Sequence, residues 1–248
     1  MFRPRVALAS LSGEADAAWA EAMASHVGCA FLGGIALDGS TRDAAQAMTD
    51  RDRSEFLPAD PVGFVDAQLG ALADAPLRPG YNVRSATLGP LRDAAEVCRA
   101  HDAILELNAH CRQDEMCAAG AGESLLREPD RLARQVRTAA ETDAAVSVKV
   151  RAEVDGVALL ELARRLEAAG ADAVHVDAMD SESVVAALAD ATDLFVIANN
   201  GVRGPATARE YFEYGADAVS VGRASDDPEI LRAVRETANE WVARGAGR

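Results

Sequence analysis

Two nearly identical heptapeptides constrain the fold of this chain more than any other feature of its sequence. Residues 170–176 read GADAVHV and residues 215–221 read GADAVSV, and the two copies lie 45 positions apart. In each copy a glycine, which typically ends a helix, precedes an apolar run that is typical of a strand. The repeat therefore indicates duplicated strand-and-helix units rather than two chance apolar runs.

The alternation of strands and helices extends along the whole chain. Eight apolar runs predict strands: RVALAS, CAFLGGIAL, YNVRSA, AILELNAH, VSVKV, ADAVHVDA, LFVIANNGV and ADAVSVGRA. Helices are predicted between them, for example at 14–26, Leu88–Ala100 and Pro129–Ala140, and residues 38–61 are predicted to form an elaborated loop or a polar helix. Apolar strands that alternate with helices form a parallel sheet covered by helices.

Eight such units in 248 residues predict a single (β/α)8 TIM barrel, an α/β fold that spans residues 1–248 as one domain. An open, doubly wound sheet is the alternative, although no GxGxxG motif follows the first strand.

The composition is that of a globular protein with an unusual charge. Hydrophobic residues make up 49% and charged residues 26% of the chain, and the net charge is -15. Such an acidic surface excludes a broad basic nucleic-acid footprint, so any contact with RNA has to be local. Acidity combined with a single lysine, Lys149, is typical of proteins from salt-rich cytoplasms and predicts a halophilic source.

The cysteines predict free thiols and no metal site. Cys29, Cys98, Cys111 and Cys117 form no CxxC pair. Cys29 and Cys98 are predicted to be buried, Cys111 to lie in a long loop after a strand, and Cys117 stays unassigned. We find no leader and no apolar run of about 18 residues, so the expected location is the cytoplasm, without contact with a membrane.

In a TIM barrel the chemistry lies at the carboxyl ends of the strands, and this rule selects a short list of polar residues. The candidates from the fourth to the eighth strand are Asn108, His110, Cys111, Lys149, Arg151, His175, Asp177, Asn199, Asn200, Gly201, Gly222 and Arg223.

Lys149 and His175 lie within apolar strands. By strand alternation Lys149 points away from Val148 and Val150, either into the barrel or toward a covering helix. A buried ammonium is costly without a partner, so we expect it to meet an anion, a polar ligand or a carbonyl group. A structural salt bridge at Lys149 and a hydrogen-bonded core histidine at His175 are the alternatives.

Two further groups point to a phosphate and to a reactive thiol. Asn199–Gly201 and Gly222–Arg223 follow the seventh and eighth strands, where TIM barrels commonly hold phosphate groups, although Asn-Asn-Gly could also be a simple turn. Cys111 is flanked by His110 and Arg112, whose neighbourhood can activate a thiol or position its proton. The alternative is an exposed, inert thiol.

These stretches resemble the dihydrouridine synthase family of FMN-dependent TIM barrels, which are relatives of dihydroorotate dehydrogenase. ELNAHCRQDEMCAAGAGESLL is similar to the family's N-x-G-C-P segment with its glycine-rich loop, and VSVKVR to its V-K-x-R strand. VHVDA is similar to its histidine-bearing strand, IANNGV to I-G-N-G-D, and VSVGRAS to I-G-R-G-A.

The resemblance implies an oxidoreductase with FMN as cofactor, NAD(P)H as electron donor and a uracil ring of tRNA as substrate. Cys111 is implied as the catalytic acid that protonates C5 while the flavin delivers hydride to C6. The implied cofactor-binding residues are Ser10, Arg84, Asn108, Lys149, His175, Asn199, Asn200, Gly201, Gly222 and Arg223. Lys149 would stabilise negative charge at the N1 and O2 edge of the reduced flavin.

The chain also departs from the family pattern. His110 and Arg112 replace a glycine and a proline around the cysteine, Arg84 replaces a glutamine, and the first loop reads ALASLSGEAD instead of P-M-A-G-V-T-D. Only one helix is predicted after Arg223, so the chain resembles the short archaeal branch without the helical tRNA-binding domain.

Three other activities stay open at the sequence level. A free pyrimidine, pterin or other small heterocycle is the alternative substrate. A Schiff-base lyase that uses Lys149 and a nucleotide-binding barrel without turnover are the alternative functions. The sequence predicts no oligomeric state.

Overall fold

Eight parallel strands close into a barrel in chain order. The computed structural model describes residues 1–245, and its strands are β1 (Val6–Leu8), β2 (Cys29–Ala36), β3 (Arg78–Arg84), β4 (Ile104–Asn108), β5 (Ala145–Arg151), β6 (Ala173–Asp177), β7 (Phe195–Asn199) and β8 (Ala218–Val221). Strand β8 pairs with β1 and completes the ring. The predicted (β/α)8 TIM barrel is confirmed.

Helices follow the strands and cover the outside of the barrel. They are α1 (Ala17–Met23), α2 (Gly39–Thr49), α3 (Pro61–Ala71), α4 (Leu88–Ala100), α5 (Asp114–Ala118), α6 (Pro129–Ala140), α7 (Leu159–Ala168), α8 (Val184–Ala191), α9 (Pro205–Glu213) and α10 (Pro228–Ala243). Short 3-10 turns occupy Gly122–Arg127 and Arg223–Asp226. No helix among residues 1–245 is long and apolar enough to cross a bilayer.

Each repeated heptapeptide joins the end of one helix to the start of the next strand. Their leading glycines adopt φ angles of +103° and +89°, which only glycine adopts easily. The Asp172 amide donates to the Val146 carbonyl at 2.8 Å, and its carboxylate accepts from the Val146 amide at 2.8 Å. Asp217 makes the same two bonds to Val196, at 2.9 and 3.0 Å. The aspartate of the repeat thus fixes the register of each strand with its neighbour.

Strand alternation divides the residues of each strand between two environments. In β5, Val146, Val148 and Val150 pack in the core between barrel and helices, which leaves Ser147 and Lys149 facing the barrel interior. The interior is apolar near the amino ends of the strands, where Ala7, Cys29, Phe31, Ile104, Ala173, Ile197 and Ala218 pack together. Toward the carboxyl ends it becomes polar, and that change marks where ligands would bind.

Residues 38–61 form both a helix and an irregular loop, which are the two alternatives that the sequence left open. Helix α2 begins after Asp38, whose carboxylate accepts from the Thr41 amide at 3.1 Å, and an irregular segment follows the helix up to Pro61. The Asp38 carboxylate also accepts from the Ser85 hydroxyl at 2.8 Å and the Ala86 amide at 2.6 Å. Burial opposes ionisation, but these hydrogen bonds lower the pKa of Asp38 to about 2. One ionised carboxylate therefore ties this segment to the end of β3.

Candidate active site

The polar residues predicted at the strand ends surround two adjoining cavities at the carboxyl end of the barrel. The larger cavity has a volume of about 740 Å³ and its walls include Ser10, Arg84, Asn108, Cys111, Lys149, Asn200 and Arg223. The smaller cavity, of about 280 Å³, is lined by residues that include Ser10, Lys149, Asn199, Asn200, Gly201, Gly222 and Arg223. His175 lines neither cavity and lies fully buried beneath them.

Lys149 places a buried cation at the junction of the two cavities. Its side chain is 4% exposed, and the residue pairs with Asn108 of β4 and His175 of β6. Within residues 1–245 the ammonium makes no hydrogen bond or ion pair, and it borders both cavities. Burial lowers the pKa of Lys149, although the charges of Glu106 and Asp177 oppose this effect. Such a group requires a polar or anionic ligand in the cavities.

Glu106 is a buried carboxylate below Lys149 that the sequence reasoning missed. Its Oε1 accepts from Asn82 Nδ2 at 2.7 Å, and its Oε2 lies 2.6 Å from His175 Nδ1. Burial acts against its charge, but His175, Lys149 and Asn82 together lower the pKa of Glu106. A glutamate in the apolar run AILELNAH, two positions before Asn108, was the available signal.

Glu106 and Ser220 contact the two ring nitrogens of His175, and the ring is exposed to neither cavity. Burial lowers the pKa of His175, so the neutral ring carries its proton on Nδ1 and donates it to ionised Glu106. Nε2 lies 2.7 Å from Ser220 Oγ, whose hydroxyl also lies 3.0 Å from Asn199 Oδ1. His175 therefore lies beneath both cavities with both ring nitrogens engaged, and its contact with a flavin stays a prediction.

Buried neutral histidines make the folded state sensitive to acid. The pKa values of His175 and His110 lie below the ordinary 6.5, chiefly because of burial, so the unfolded chain takes up their protons first. We expect the free energy of unfolding to fall as the pH drops below about 6.5, by up to roughly 1.4 kcal/mol per pH unit for each group. Urea unfolding between about pH 8 and pH 5 tests this. His110→Gln removes one of the two groups, so its free energy of unfolding should fall less steeply with pH than that of the wild type.

Asn108 holds the loop that carries Cys111. Its Nδ2 donates to Asn82 Oδ1 at 2.8 Å, and its Oδ1 accepts from the amides of His110 and Cys111 at 3.1 and 2.9 Å. The half-buried Cys111 side chain lines the larger cavity. Gly122, with φ of +62°, lies so close that a Cβ there would be 2.2 Å from the Cys111 carbonyl oxygen. The glycine-rich loop is thus required to let the Cys111 loop take this path.

Arg84 borders the larger cavity, but its guanidinium is already paired. Nη1 lies 2.6 Å from Glu55 Oε2, and the two side chains are 2% and 1% exposed. Nη2 also donates to the Ser12 hydroxyl. The pair anchors the segment that contributes Asp52, Arg53 and Ser54 to the cavity wall. Arg84 therefore fixes the wall of the larger cavity, and its role in cofactor binding stays a prediction.

Replacing Glu55 with alanine should lower the free energy of unfolding by about 3–5 kcal/mol, because it leaves a buried guanidinium unpaired. The double variant Glu55→Leu, Arg84→Met removes both charges, and Arg84 Nε and Glu55 Oε1 already lack hydrogen-bond partners in the structure. We expect the double variant to be close to wild type in chemical unfolding. A double variant as unstable as Glu55→Ala would show that the pair itself stabilises the fold.

The loops after β7 and β8 provide the groups that a phosphate requires. Asn200 and Gly201 have φ angles of +92° and +66°, and the Tyr211 hydroxyl donates to the Asn200 carbonyl at 2.9 Å. In the described chain the amides of Gly201 and Val202 have no hydrogen-bond partner, and the exposed Arg223 has no ion pair. Free amides beside a helix amino terminus and an arginine form a suitable anion site.

A comparison of the sequence with protein-family models identifies the relationship. The model described as dihydrouridine synthase (Dus) matches residues 86–244, which is more than half of the chain. The chain belongs to the dihydrouridine synthase family. This membership supports a flavin-dependent oxidoreductase with FMN as its cofactor, and the match includes every candidate residue of the site from Asn108 to Arg223.

Individual relatives agree with this fold. An uncharacterized protein of Methanocaldococcus jannaschii is 26% identical over 88% of each chain. DHODH from Eimeria tenella in complex with ferulenol superposes with a TM-score of 0.69 at 14% identity, over 97% of this chain and 82% of that one. A mandelate oxidase mutant with the C4a-OH-FMN adduct superposes with a TM-score of 0.60 at 15% identity, over 98% of this chain and 74% of that one. FabK from Thermotoga maritima superposes with a TM-score of 0.61 at 16% identity, and this chain spans only 59% of the FabK chain. At these identities the solved structures show the fold alone.

Proposed function

We propose that this protein reduces the C5–C6 double bond of a uracil ring, with FMN as cofactor, NAD(P)H as electron donor and Cys111 as the proton donor. One observation carries the proposal: the buried, unpaired ammonium of Lys149 lies at the junction of the smaller cavity, which we assign to a phosphate, and the larger cavity, which Cys111 lines. Family membership supports the flavin chemistry.

The residues present fit FMN. The amides of Gly201 and Val202, together with Gly222 and Arg223, would hold its phosphate at the outer end of the smaller cavity. Lys149 would bind the pyrimidine edge of the ring system, where a compact ammonium favours added negative charge. Ser10 and Asn108 would border the ring, and His175 would act from below through Glu106 and Ser220.

The larger cavity then remains for the substrate. When bound, FMN supplies a hydride to C6 of the uracil ring, and C5 requires a proton. Cys111 lines this cavity and its backbone is fixed by Asn108, so the thiol would border a uracil ring bound there. A positioned acid of this kind contributes about 10²–10⁴-fold to the rate.

The walls of the larger cavity favour an anionic substrate. Arg53 and Arg112 line it as exposed side chains that form no ion pair in the described chain, although the net charge of the protein is -15. We propose a uridine of tRNA as the substrate, with only local contacts to the phosphates. A small pyrimidine nucleotide is the second candidate, because the acidic surface beyond the cavity repels a polyanion.

The test uses purified protein reconstituted with FMN and reduced anaerobically with NADPH or dithionite. Mixing with an unmodified tRNA transcript should reoxidise the flavin and add two hydrogens to a uridine, as detected by mass spectrometry. Reoxidation by uridine monophosphate alone would instead identify the small nucleotide as substrate. Failure of both uracil compounds to reoxidise a bound, reduced flavin would reject the proposal.

A Schiff-base lyase remains the competing use of Lys149, because its lowered pKa favours a nucleophilic amine. Borohydride treatment with carbonyl compounds separates the two chemistries. Since Lys149 is the only lysine, any trapped adduct on a lysine must be there. Our proposal requires that Lys149 stay unmodified.

A further inference from the structure

His110 and Asp177 form a pair across the opening of the site. His110 Nε2 lies 2.6 Å from Asp177 Oδ2, with side chains 31% and 13% exposed. The two residues extend from the ends of β4 and β6, so the pair bridges the end of β5, which carries Lys149. Both side chains border both cavities. Where the family pattern has a glycine, this chain thus places an imidazole between the cofactor and substrate positions.

The surrounding charges determine the protonation states of His110 and Asp177. Burial opposes the charge of Asp177, but His110, the Met179 amide and Lys149 lower its pKa, so the carboxylate is ionised. Burial also lowers the pKa of His110, as do Lys149 and Arg151 of β5, and only Asp177 opposes them.

The neutral ring of His110 therefore donates from Nε2 to Asp177, and Nδ1 remains a free acceptor without a partner among residues 1–245. An oriented imidazole with one free nitrogen at a cavity wall can take up a proton and pass it on.

His110 and the thiol are held as one unit. The amides of His110 and Cys111 both donate to Asn108 Oδ1, and both side chains line the larger cavity. The imidazole and the thiol therefore border the same cavity from adjacent positions of one fixed loop.

We propose that His110, oriented by Asp177, exchanges a proton with the Cys111 thiol; this inference rests on the proposed function. In the forward reaction the Cys111 S–H bond breaks and its proton forms the new C5–H bond, while C6 receives hydride from the cofactor. This leaves a thiolate on Cys111 and a neutral His110. Nδ1 of His110 takes up a proton from water at the cavity opening and passes it to the thiolate, so that the S–H bond re-forms and the ring becomes neutral again. Asp177 is a positioning residue that orients the ring.

Iodoacetamide alkylation of the apoprotein tests this exchange without substrate or turnover. Cys29 and Cys98 are fully buried, so a Cys117→Ser background leaves Cys111 as the reactive thiol. In this background the rate of Cys111 alkylation should rise with pH, and the inflection of the profile should fall where an imidazole titrates. His110→Gln should remove the inflection and slow alkylation near neutral pH by about tenfold, and Asp177→Asn should shift it.

His101→Gln is the matched control. His101 Nε2 lies 2.7 Å from Asp66 Oδ1, so this variant breaks an equivalent pair far from the cavities. It should leave the profile unchanged. In a Cys111→Ser variant the remaining Cys117 should alkylate equally with and without His110, which separates proton exchange from general loosening of the loop. An unchanged profile in His110→Gln would overturn the inference.

Chemical rescue distinguishes this inference from the proposed function. His110→Gly restores the residue of the family pattern and opens space for an added imidazole. Because the thiolate is reprotonated after each reduction, we expect steady-state turnover with NADPH and the uracil substrate to slow by at least tenfold and to recover with imidazole. If wild-type enzyme reduces uracil but imidazole has no effect on the slowed variant, the exchange fails while the function stands. If neither enzyme binds FMN, the function itself fails.

Discussion

Replacing Cys111 with alanine should leave FMN bound and lower the rate of uracil reduction by about 10²–10⁴-fold, because C5 loses its proton donor. Cys111 lines the larger cavity, which we assign to the substrate, and not the smaller cavity, which we assign to the FMN phosphate. Cofactor affinity should therefore change by less than twofold. The measurement is stopped-flow reoxidation of the reduced enzyme, with FMN content determined on the same sample.

Cys117→Ala provides the matched control for this variant. Cys117 lies on the short helix α5 that follows the Cys111 loop; it is also half-buried, and its thiol contacts the Cys111 carbonyl at 3.5 Å. Its removal should retain most of the activity. Full activity in Cys111→Ala would exclude the thiol from the mechanism, and equal losses in both variants would indicate that only the loop conformation matters.

Replacing Lys149 with methionine should stabilise the apoprotein and weaken FMN binding at once. The ammonium is buried and unpaired, so its removal relieves a desolvation cost and should raise the free energy of unfolding by about 1–3 kcal/mol. In a chain of this size each kcal/mol corresponds to a rise in Tm of roughly 2–4 °C. The same change removes a charge-assisted contact to the flavin of about 1.5–3 kcal/mol, which is roughly 10–150-fold in Kd.

The two effects of this variant have opposite signs, so together they identify Lys149 as a functional rather than a structural cation. Lys149→Arg retains the charge but replaces a compact ammonium with a larger, planar guanidinium, so this variant should also bind FMN weakly. Thermal unfolding of the apoproteins and FMN titration supply both quantities. A destabilised apoprotein with unchanged FMN affinity would show that the lysine supports only the barrel.

Local patterns predicted the elements well, because their causes lie within a few residues. Gly170 and Gly215 ended helices where expected, and Leu88–Ala100 and Pro129–Ala140 are helices with the expected bounds. The strands end earlier than the apolar runs suggested. RVALAS contributes only Val6–Leu8, since the residues after it turn outward and line the cavities.

The site was predictable only where alternation and strand order determine position. Alternation left Lys149 facing either the barrel or a helix, and only barrel closure directs it inward. Glu106 resembled an isolated charge in an apolar run until the strand register placed His175 within 2.6 Å.

The contact between Arg84 and Glu55 joins a strand to an irregular segment 29 residues away. No periodicity encodes such a pair. The same holds for His110 and Asp177, which are 67 positions apart and meet only because β4 and β6 flank one strand.

Titration of the apoprotein with FMN and with riboflavin tests the central claim most directly. A phosphate held by Gly201, Val202 and Arg223, with the ring system over Lys149, predicts one FMN per chain and at least tenfold weaker binding of riboflavin. An apoprotein that binds neither flavin, or binds both equally, would contradict this account of the site.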